Sequence, residues 1–319
     1  MLSNDQLNPV PRIPEGGPAL AFDFPGLEIG VAEYDEGPTG CTVFHFPGGA
    51  KTLAIDVRGG SPAWMGDYPV ADAICLAGGS AYGLEAATGV AAELLARRGY
   101  SVDWGQIALV SGAIVFDYRM RDNAVYPDKA LGRAALRAAR PGRFPLGPRG
   151  GGRSASVGKL FRDELRGEPS GQGGAFRQIG PTKVAVFTVV NAVGGIVDRR
   201  GNLVRGYLDP TSGRRVPLAE ALERAAARGA EAPPGNTTIS LVVTNQKLGN
   251  WELRQLGRQV HASMARPIQP FHALTDGDVM FAVSTQEVDS LRLTPAMLAA
   301  LASELAWDAV LSCWGEPQA

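Results

Sequence analysis

Asn236 and Thr237 form a bond that the chain itself is placed to attack. Gly235-Asn236-Thr237-Thr238 lies between the Pro/Gly connector Ala232-Pro233-Pro234-Gly235 and the apolar run Ile239-Ser240-Leu241-Val242-Val243. The Thr237 hydroxyl can add to the Asn236 carbonyl and move the acyl group from nitrogen to oxygen. Water then releases a new N-terminus at Thr237. The freed α-amine has a pKa of roughly 7.7–8.0, which puts a usable base on the same residue as an otherwise weak nucleophile. The same residues also read, without chemistry, as a β-branched pair that opens a strand after a turn.

Three further features could serve that chemistry. Lys159 ends the small-residue stretch Ser154-Ala155-Ser156-Val157-Gly158-Lys159. The stretch is not a nucleotide-binding loop, because Arg153 stands where glycine is required and Leu160 where a Ser or Thr would hold Mg²⁺. Lys159 is then either a solvated surface charge or a partly buried ammonium that tunes a neighbouring nucleophile. Asn191 is a lone amide in the apolar stretch Val189-Val190-Asn191-Ala192-Val193. It reads either as a strand-end turn residue before Gly194 and Gly195 or as an amide donor to a developing oxyanion. Asp276 and Asp278 flank Gly277, a pattern that lacks the further ligands of a calcium loop. Two carboxylates on one turn can hold and orient an ammonium such as Lys159 or the new α-amine. His45, His261 and His272 have no zinc spacing and read as structural histidines. No Gly-x-Ser-x-Gly elbow is present.

Elements must bring these residues together. Segments 27–33, 41–46 and 52–57 read as strands, 80–98 as a helix stopped by Gly99, and 107–116 as a buried strand. Residues 128–140 read as a helix ended by Pro141. Glycine-rich stretches, 147–158 and 167–174, precede a strand at 183–190 and a strand-like segment at 195–208. Residues 217–228 form an amphipathic helix with acidic residues early and arginines late, matching the helix dipole. A strand at 238–244, a helix at about 251–264 capped by Asn250, and a strand at 279–284 follow. A last helix opens with Thr294 as cap and Pro295 as first residue and runs to about Cys313. Strands and helices mix without regular βαβ alternation or internal repeats, which supports an α+β or α/β layered sandwich. Residues 1–17 are polar and Pro-rich and read as a flexible arm.

Composition narrows the function classes. Lys plus Arg (31) nearly cancel Asp plus Glu (32), for a net charge of −1, so no long-range attraction to nucleic acid or an anionic membrane is built in. The arginines of 133–153, interleaved with Gly and Pro, read as a solvated loop or a subunit contact. The three cysteines, Cys41, Cys75 and Cys313, have neither metal nor redox spacing. The apolar run 184–197 is too short and too interrupted to span a bilayer. No signal segment precedes it, and a reducing, cytoplasmic compartment is expected.

Four stretches then carry a family resemblance: Ala73-Ile74-Cys75-Leu76-Ala77-Gly78-Gly79-Ser80-Ala81-Tyr82-Gly83-Leu84-Glu85, Ala124-Val125-Tyr126-Pro127-Asp128-Lys129-Ala130-Leu131-Gly132-Arg133, Gly235-Asn236-Thr237-Thr238-Ile239-Ser240 and Ile268-Gln269-Pro270-Phe271-His272. Over about residues 22–314 the chain resembles the L-aminopeptidase/D-esterase family of self-processing N-terminal-nucleophile hydrolases. Within it, the chain looks most like the branch that hydrolyses 6-aminohexanoate (nylon) oligomers. The resemblance implies an αββα-type sandwich and a precursor cut at Asn236-Thr237 into a large chain (1–236) and a small chain (237–319). Apart from the arm (1–18), these form a single hydrolase domain (19–319). It also implies further assembly, commonly into a tetramer of heterodimers. Thr237 would be the nucleophile, with Lys159 and Asn191 lining its pocket and Asp276 and Asp278 organising the lysine and the nucleophile. Phe116 stands where the nylon-oligomer branch has a pocket tyrosine, which bears on substrate preference and rate rather than on reaction class. The arm also looks shorter than in that branch.

The expected activity is hydrolysis of linear amides without metal or organic cofactor, on aliphatic oligoamides or short peptides. Asn191 and backbone amides would stabilise the oxyanion. An ornithine-type acetyltransferase, which shares the architecture and also cuts before Thr, is the rival enzyme. A binding protein with an intact Asn236-Thr237 bond is the rival outside enzymes.

Overall fold

The layers follow from which side each strand residue faces. In the strand Thr237–Gln246, Ile239, Leu241 and Val243 enter one core and Val242 another. A strand buried on both faces must lie inside a multilayer structure. A computed structural model describes the chain except for residues 50, 162, 227–234, 290–292 and 316–319. Its principal elements are β1 (Glu28–Tyr34), β2 (Thr39–His45), β3 (Lys51–Val57), β4 (Ala73–Ala77), α1 (Glu85–Arg97), β5 (Val110–Ile114), α2 (Lys129–Arg137), β6 (Gly171–Ile179), β7 (Thr182–Asn191), α3 (Leu218–Ala226), β8 (Thr237–Gln246), α4 (Asn250–Ser263), β9 (Val279–Val288) and α5 (Pro295–Leu311).

One sheet has the order β6-β7-β8-β9-β3, with Val70–Ala71 at its edge. It is antiparallel except for the central β8–β9 pair. The other runs Trp64–Met65, β5, β4, β2, β1, Arg140–Pro141. The sheets pack face to face over a core in which Phe187 meets Phe144, Phe44 and Phe22 at ring-centroid distances of 4.8, 5.1 and 5.6 Å. Burying each such side chain contributes about 1.5–3 kcal/mol. Helices α4 and α5 cover the first sheet from outside, and α1 and α2 cover the second. The expected αββα sandwich is the observed fold.

Several boundaries differ from the sequence expectation. The helix expected over 80–98 begins with a 3₁₀ turn at Ser80–Leu84. The 128–140 helix stops at Arg137, and Arg140–Pro141 instead pairs with β1. Gly249, not Asn250, is the cap of α4. Segment 195–208 splits into Gly195–Val197 and Leu203–Arg205, joined by a turn. Residues 227 and 228 of the expected helix, and 232–234 of the connector, lie outside the described residues. Strand β6 was missed because its glycines look like a loop. They are needed for close packing: a Cβ on Gly173 would sit 1.9 Å from the Ala309 carbonyl oxygen of α5.

The N-terminal residues lie against the body. Asn4 Nδ2 donates to the Tyr126 carbonyl and to Asp128 Oδ2, both at 3.0 Å, and Ala124 N donates to Leu2 O at 2.7 Å. Among the described residues no helix is long and apolar enough to cross a membrane.

Candidate active site

Strand register assembles the site. Asn191, the last residue of β7, pairs directly opposite Thr237, the first of β8, so their side chains share a face within about 5 Å. On the other side of β8, Ile239 pairs in parallel with Val279. That places the 276–278 turn beside the Asn236-Thr237 bond. Asn236 N donates to Thr275 O at 3.2 Å, and Gly277 N donates to the Asn236 carbonyl oxygen at 2.9 Å. The Thr237 hydroxyl donates to the same oxygen. One carbonyl is thus polarised by a backbone amide and touched by the hydroxyl that would attack it. The bond is buried, with Asn236 and Thr237 only 1% and 4% exposed.

Lys159 is brought in by the turn after Ser156–Val157. Gly158 N and Lys159 N donate to the carbonyls of Gly194 (2.7 Å) and Val193 (2.8 Å), just beyond β7. Gly158 has φ +72° and lies so close to residue 206 that a Cβ would meet its Cα at 2.4 Å, which only glycine allows. Lys159 is 5% exposed, so it is no solvated surface charge. Its Nζ donates to Asn191 O at 2.8 Å and Asn191 Oδ1 at 2.9 Å. Burial pushes this ammonium well below its ordinary range, the nearby Arg119 pushes it further, and Asp276 opposes both. A lysine so placed gives up its proton more readily than a solvated one and, once neutral, can accept one.

Asn191 is a hub. Its Oδ1 accepts from Ser156 N (3.1 Å) and Lys159, while Nδ2 donates to the Phe116 carbonyl (3.0 Å). With the bond intact, the amide donor expected at an oxyanion is engaged by Phe116. The Phe116 ring packs on Gly235, where a Cβ would come within 2.9 Å of it. It also lines an open cavity of about 410 Å³ with Tyr82, Tyr118, Tyr126 and Arg121, together with Met1 and Ser3 of the N-terminal segment.

Both aspartates are fully buried. Asp276 accepts from Val193 N (3.3 Å) and Ala273 N (3.1 Å). Asp278 accepts from Thr238 N (2.6 Å), His272 N (3.2 Å) and His272 Nδ1 (2.9 Å). Burial first, and the charge of Asp278 next, push Asp276 up to about 7. Burial likewise pushes Asp278 up to about 6, against the hydrogen bonds it accepts.

All five residues singled out in the sequence, Thr237, Lys159, Asn191, Asp276 and Asp278, therefore converge, with Phe116 beside them. Sequence reasoning missed the Gly277 N–H, because a backbone donor leaves no mark in residue type. It also missed the tie of His272 to Asp278, although their spacing on one turn could have signalled it. Among the described residues, no cluster of three or more His, Cys, Asp or Glu could hold a metal.

Comparison with known proteins agrees with this architecture. The model of peptidase family S58 matches residues 21–314. A 6-aminohexanoate-oligomer endohydrolase of Agromyces sp. is 48% identical, over 97% of this chain and 89% of its own length. One from Kocuria sp. is 49% identical, over 95% and 88%. The L-aminopeptidase D-Ala-esterase/amidase of Ochrobactrum anthropi, described as a variant of the Ntn-hydrolase fold, superimposes with a TM-score of 0.66. That match has 16% identity over 94% of this chain and 88% of that one, and it supports the fold alone. A family match over most of the chain, with relatives near half identical along almost its full length, makes this protein a hydrolase of peptidase family S58.

Proposed function

We propose that the protein cuts its own Asn236-Thr237 bond and then uses Thr237 as an N-terminal nucleophile to hydrolyse linear amides, above all aliphatic oligoamides of the 6-aminohexanoate kind. The observation that carries this reading is the Asn236 carbonyl oxygen, held by Gly277 N–H at 2.9 Å and by the Thr237 hydroxyl. In self-cleavage the Thr237 oxygen bonds to the Asn236 carbonyl carbon and its proton passes to a base. Lys159, depressed by burial and one residue's width away across Asn191, is the group that fits. The C–N bond breaks as the Thr237 nitrogen takes a proton, leaving an ester. Water hydrolyses the ester to the Asn236 carboxylate and a Thr237 bearing both hydroxyl and free amine.

The products are chains 1–236 and 237–319 within one domain, residues 19–319. Departure of residues 235 and 236 uncovers the Phe116 ring, which joins the nucleophile to the aromatic cavity. A substrate amide placed there is attacked by the Thr237 oxygen, whose proton goes to the α-amine and then to the leaving amine. Asp276 and Asp278 orient the ammonium groups, and the Gly277 N–H and Asn191 amide offer donors to the oxyanion. Water then frees the acyl group. The aromatic lining, whose single charged residue Arg121 is paired with Asp117, suits polymethylene chains, and the relatives named as 6-aminohexanoate-oligomer endohydrolases support that substrate class. Exposed Tyr100, Val102 and Trp104 suit a subunit contact, in keeping with assembly of the heterodimer into a tetramer in the cytoplasm.

The test is incubation of purified protein with 6-aminohexanoate oligomers, short linear peptides, and acetylornithine with an acetyl acceptor. New amine ends should appear from the oligomers and be absent with the T237A variant. Acetyl transfer without amide hydrolysis, or equal activity in T237A, would contradict the reading.

A further inference from the structure

Behind the nucleophile strand, a chain of polar groups that the reaction above does not use leads away from Asp278. Asp278 accepts from the His272 ring, Nδ1 to Oδ2 at 2.9 Å. The His272 ring meets the His261 ring edge to face, centroids 4.4 Å apart at 85°. His261 Nδ1 lies 2.8 Å from Asp56 Oδ2, which Arg58 Nε also binds at 2.7 Å. Asp56 belongs to β3 and pairs opposite Met280 of β9, so the chain runs from the sheet edge to the turn that carries Asp278.

A carboxylate only accepts, so each Nδ1 must carry the proton. Each Nε2 is then a bare lone pair, and both are buried without a partner among the described residues. A lone pair tolerates this better than an N–H would. Burial, with Arg58 next for His272, lowers both imidazoles, His272 to about 4, while Asp56 and Asp278 act the other way. The ionised groups facing the pair are thus Asp278, Asp56 and Arg58, and both rings stay neutral. His272 also sits at φ +56°, a left-handed backbone unusual for a residue with a side chain. That backbone aims both its N–H and its ring at Asp278.

We propose that His272 is a positioning residue for the nucleophile: its Nδ1–H, set by the Asp278 carboxylate, and the edge-to-face packing of the Asp56-bound His261 ring against it hold that carboxylate against Thr238 N–H, which sets where β8 begins and so where Thr237 points. This rests on Thr237 being the nucleophile. Removing the ring leaves Asp278 Oδ2 with the His272 backbone N–H alone, loosens the carboxylate and lets the start of β8 shift, and a misplacement of about 1 Å costs up to roughly 10²-fold in rate. His272 is absent from the substrate cavity lining, so the loss falls on kcat and leaves KM unchanged.

The test compares unmutated protein with H272L, which removes the donor, and H272N, whose Nδ2 reproduces Nδ1. Extent of self-cleavage, and kcat and KM on a 6-aminohexanoate oligomer, are followed across pH. H272L is expected to lose at least about tenfold in kcat with its acid limb moved to higher pH, and H272N to recover most of the loss. Equal kcat and pH profiles for H272L and unmutated protein, or no recovery in H272N, would overturn the proposal. If H272L does not fold, ¹⁵N spectra of the unmutated imidazoles above pH 7, where Asp278 is ionised, decide: Nδ1–H tautomers support it, and an Nε2–H tautomer at His272 refutes it. An unmutated protein that stays uncut and inactive removes the Thr237 reading itself, and this proposal with it.

Discussion

At the Asn236-Thr237 bond, chemistry depends on which charges survive burial. Asp276 and Asp278 are both unexposed, and their carboxyls are pushed up to about 7 and about 6 by burial, with the charge of Asp278 adding to the rise at Asp276. Groups so raised bind more protons in the folded than in the unfolded chain between about pH 4 and 7, so their contribution to stability falls as pH rises through that window. Function runs the other way, because Lys159 becomes an ammonium as it takes the Thr237 proton, and the Asp276 anion stabilises that charge. Self-cleavage is therefore predicted to accelerate from pH 5 to about pH 7 and then level off, measured as the cleaved fraction against time by mass spectrometry. A rate indifferent to pH would contradict a role for the pair. These residues were legible because each is out of place: a lone amide in an apolar strand, a lysine after small residues, a Thr after a Pro/Gly connector. That Lys159 is buried was not legible, since it depends on residues 193, 194 and 206 closing over it.

Among elements, the turn that carries the aspartates is clamped by the loop after β3, and the clamp is made by glycines. A Cβ on Gly59 would meet the Asp276 carbonyl oxygen at 2.3 Å, one on Gly60 the Leu274 oxygen at 2.0 Å, and one on Gly277 the Ser61 oxygen at 2.4 Å. Arg58 N and Ser61 N donate to the carbonyls of Asp278 (2.8 Å) and Asp276 (2.9 Å) across the same contact. Gly277→Ala must push these segments apart and pull its own N–H from the Asn236 carbonyl. The expected outcome is self-cleavage slowed by about 10²-fold, since one lost oxyanion donor costs 10²–10³, while the αββα fold is kept. Cleavage at the unmutated rate would show that this amide is not used. Strands with strong β-branched runs, such as β7 and β8, were legible from their pattern. Strand β6 was not, because its glycines answer to distant neighbours lying close against them, helix α5 at Gly173, residues 147 and 148 at Gly171 and the Phe144 ring at Gly174, and not to any local preference. Likewise Pro141 marks a strand edge beyond the helix end, and the helix expected up to it stops at Arg137.

For the whole molecule, the position of β8 decides what cleavage does. It is flanked by β7 and β9 in the middle of its sheet, with Ile239, Leu241 and Val243 in the inter-sheet core and Val242 in the core under α4 and α5. A cut at its first residue breaks one covalent bond and leaves these contacts in place, so the two chains should remain a single particle until denatured. The sandwich class was legible from mixed elements without βαβ alternation, whereas the order of strands within each sheet rests on long-range pairings that no local pattern encodes. The most direct measurement is the mass of the purified protein under native and then denaturing conditions, with N-terminal sequencing of any small chain. One native particle that separates into chains of residues 1–236 and 237–319, the smaller beginning Thr-Thr-Ile-Ser, is the result predicted. A single chain of 319 residues, unchanged after prolonged incubation near pH 7, would contradict Thr237 as an N-terminal nucleophile.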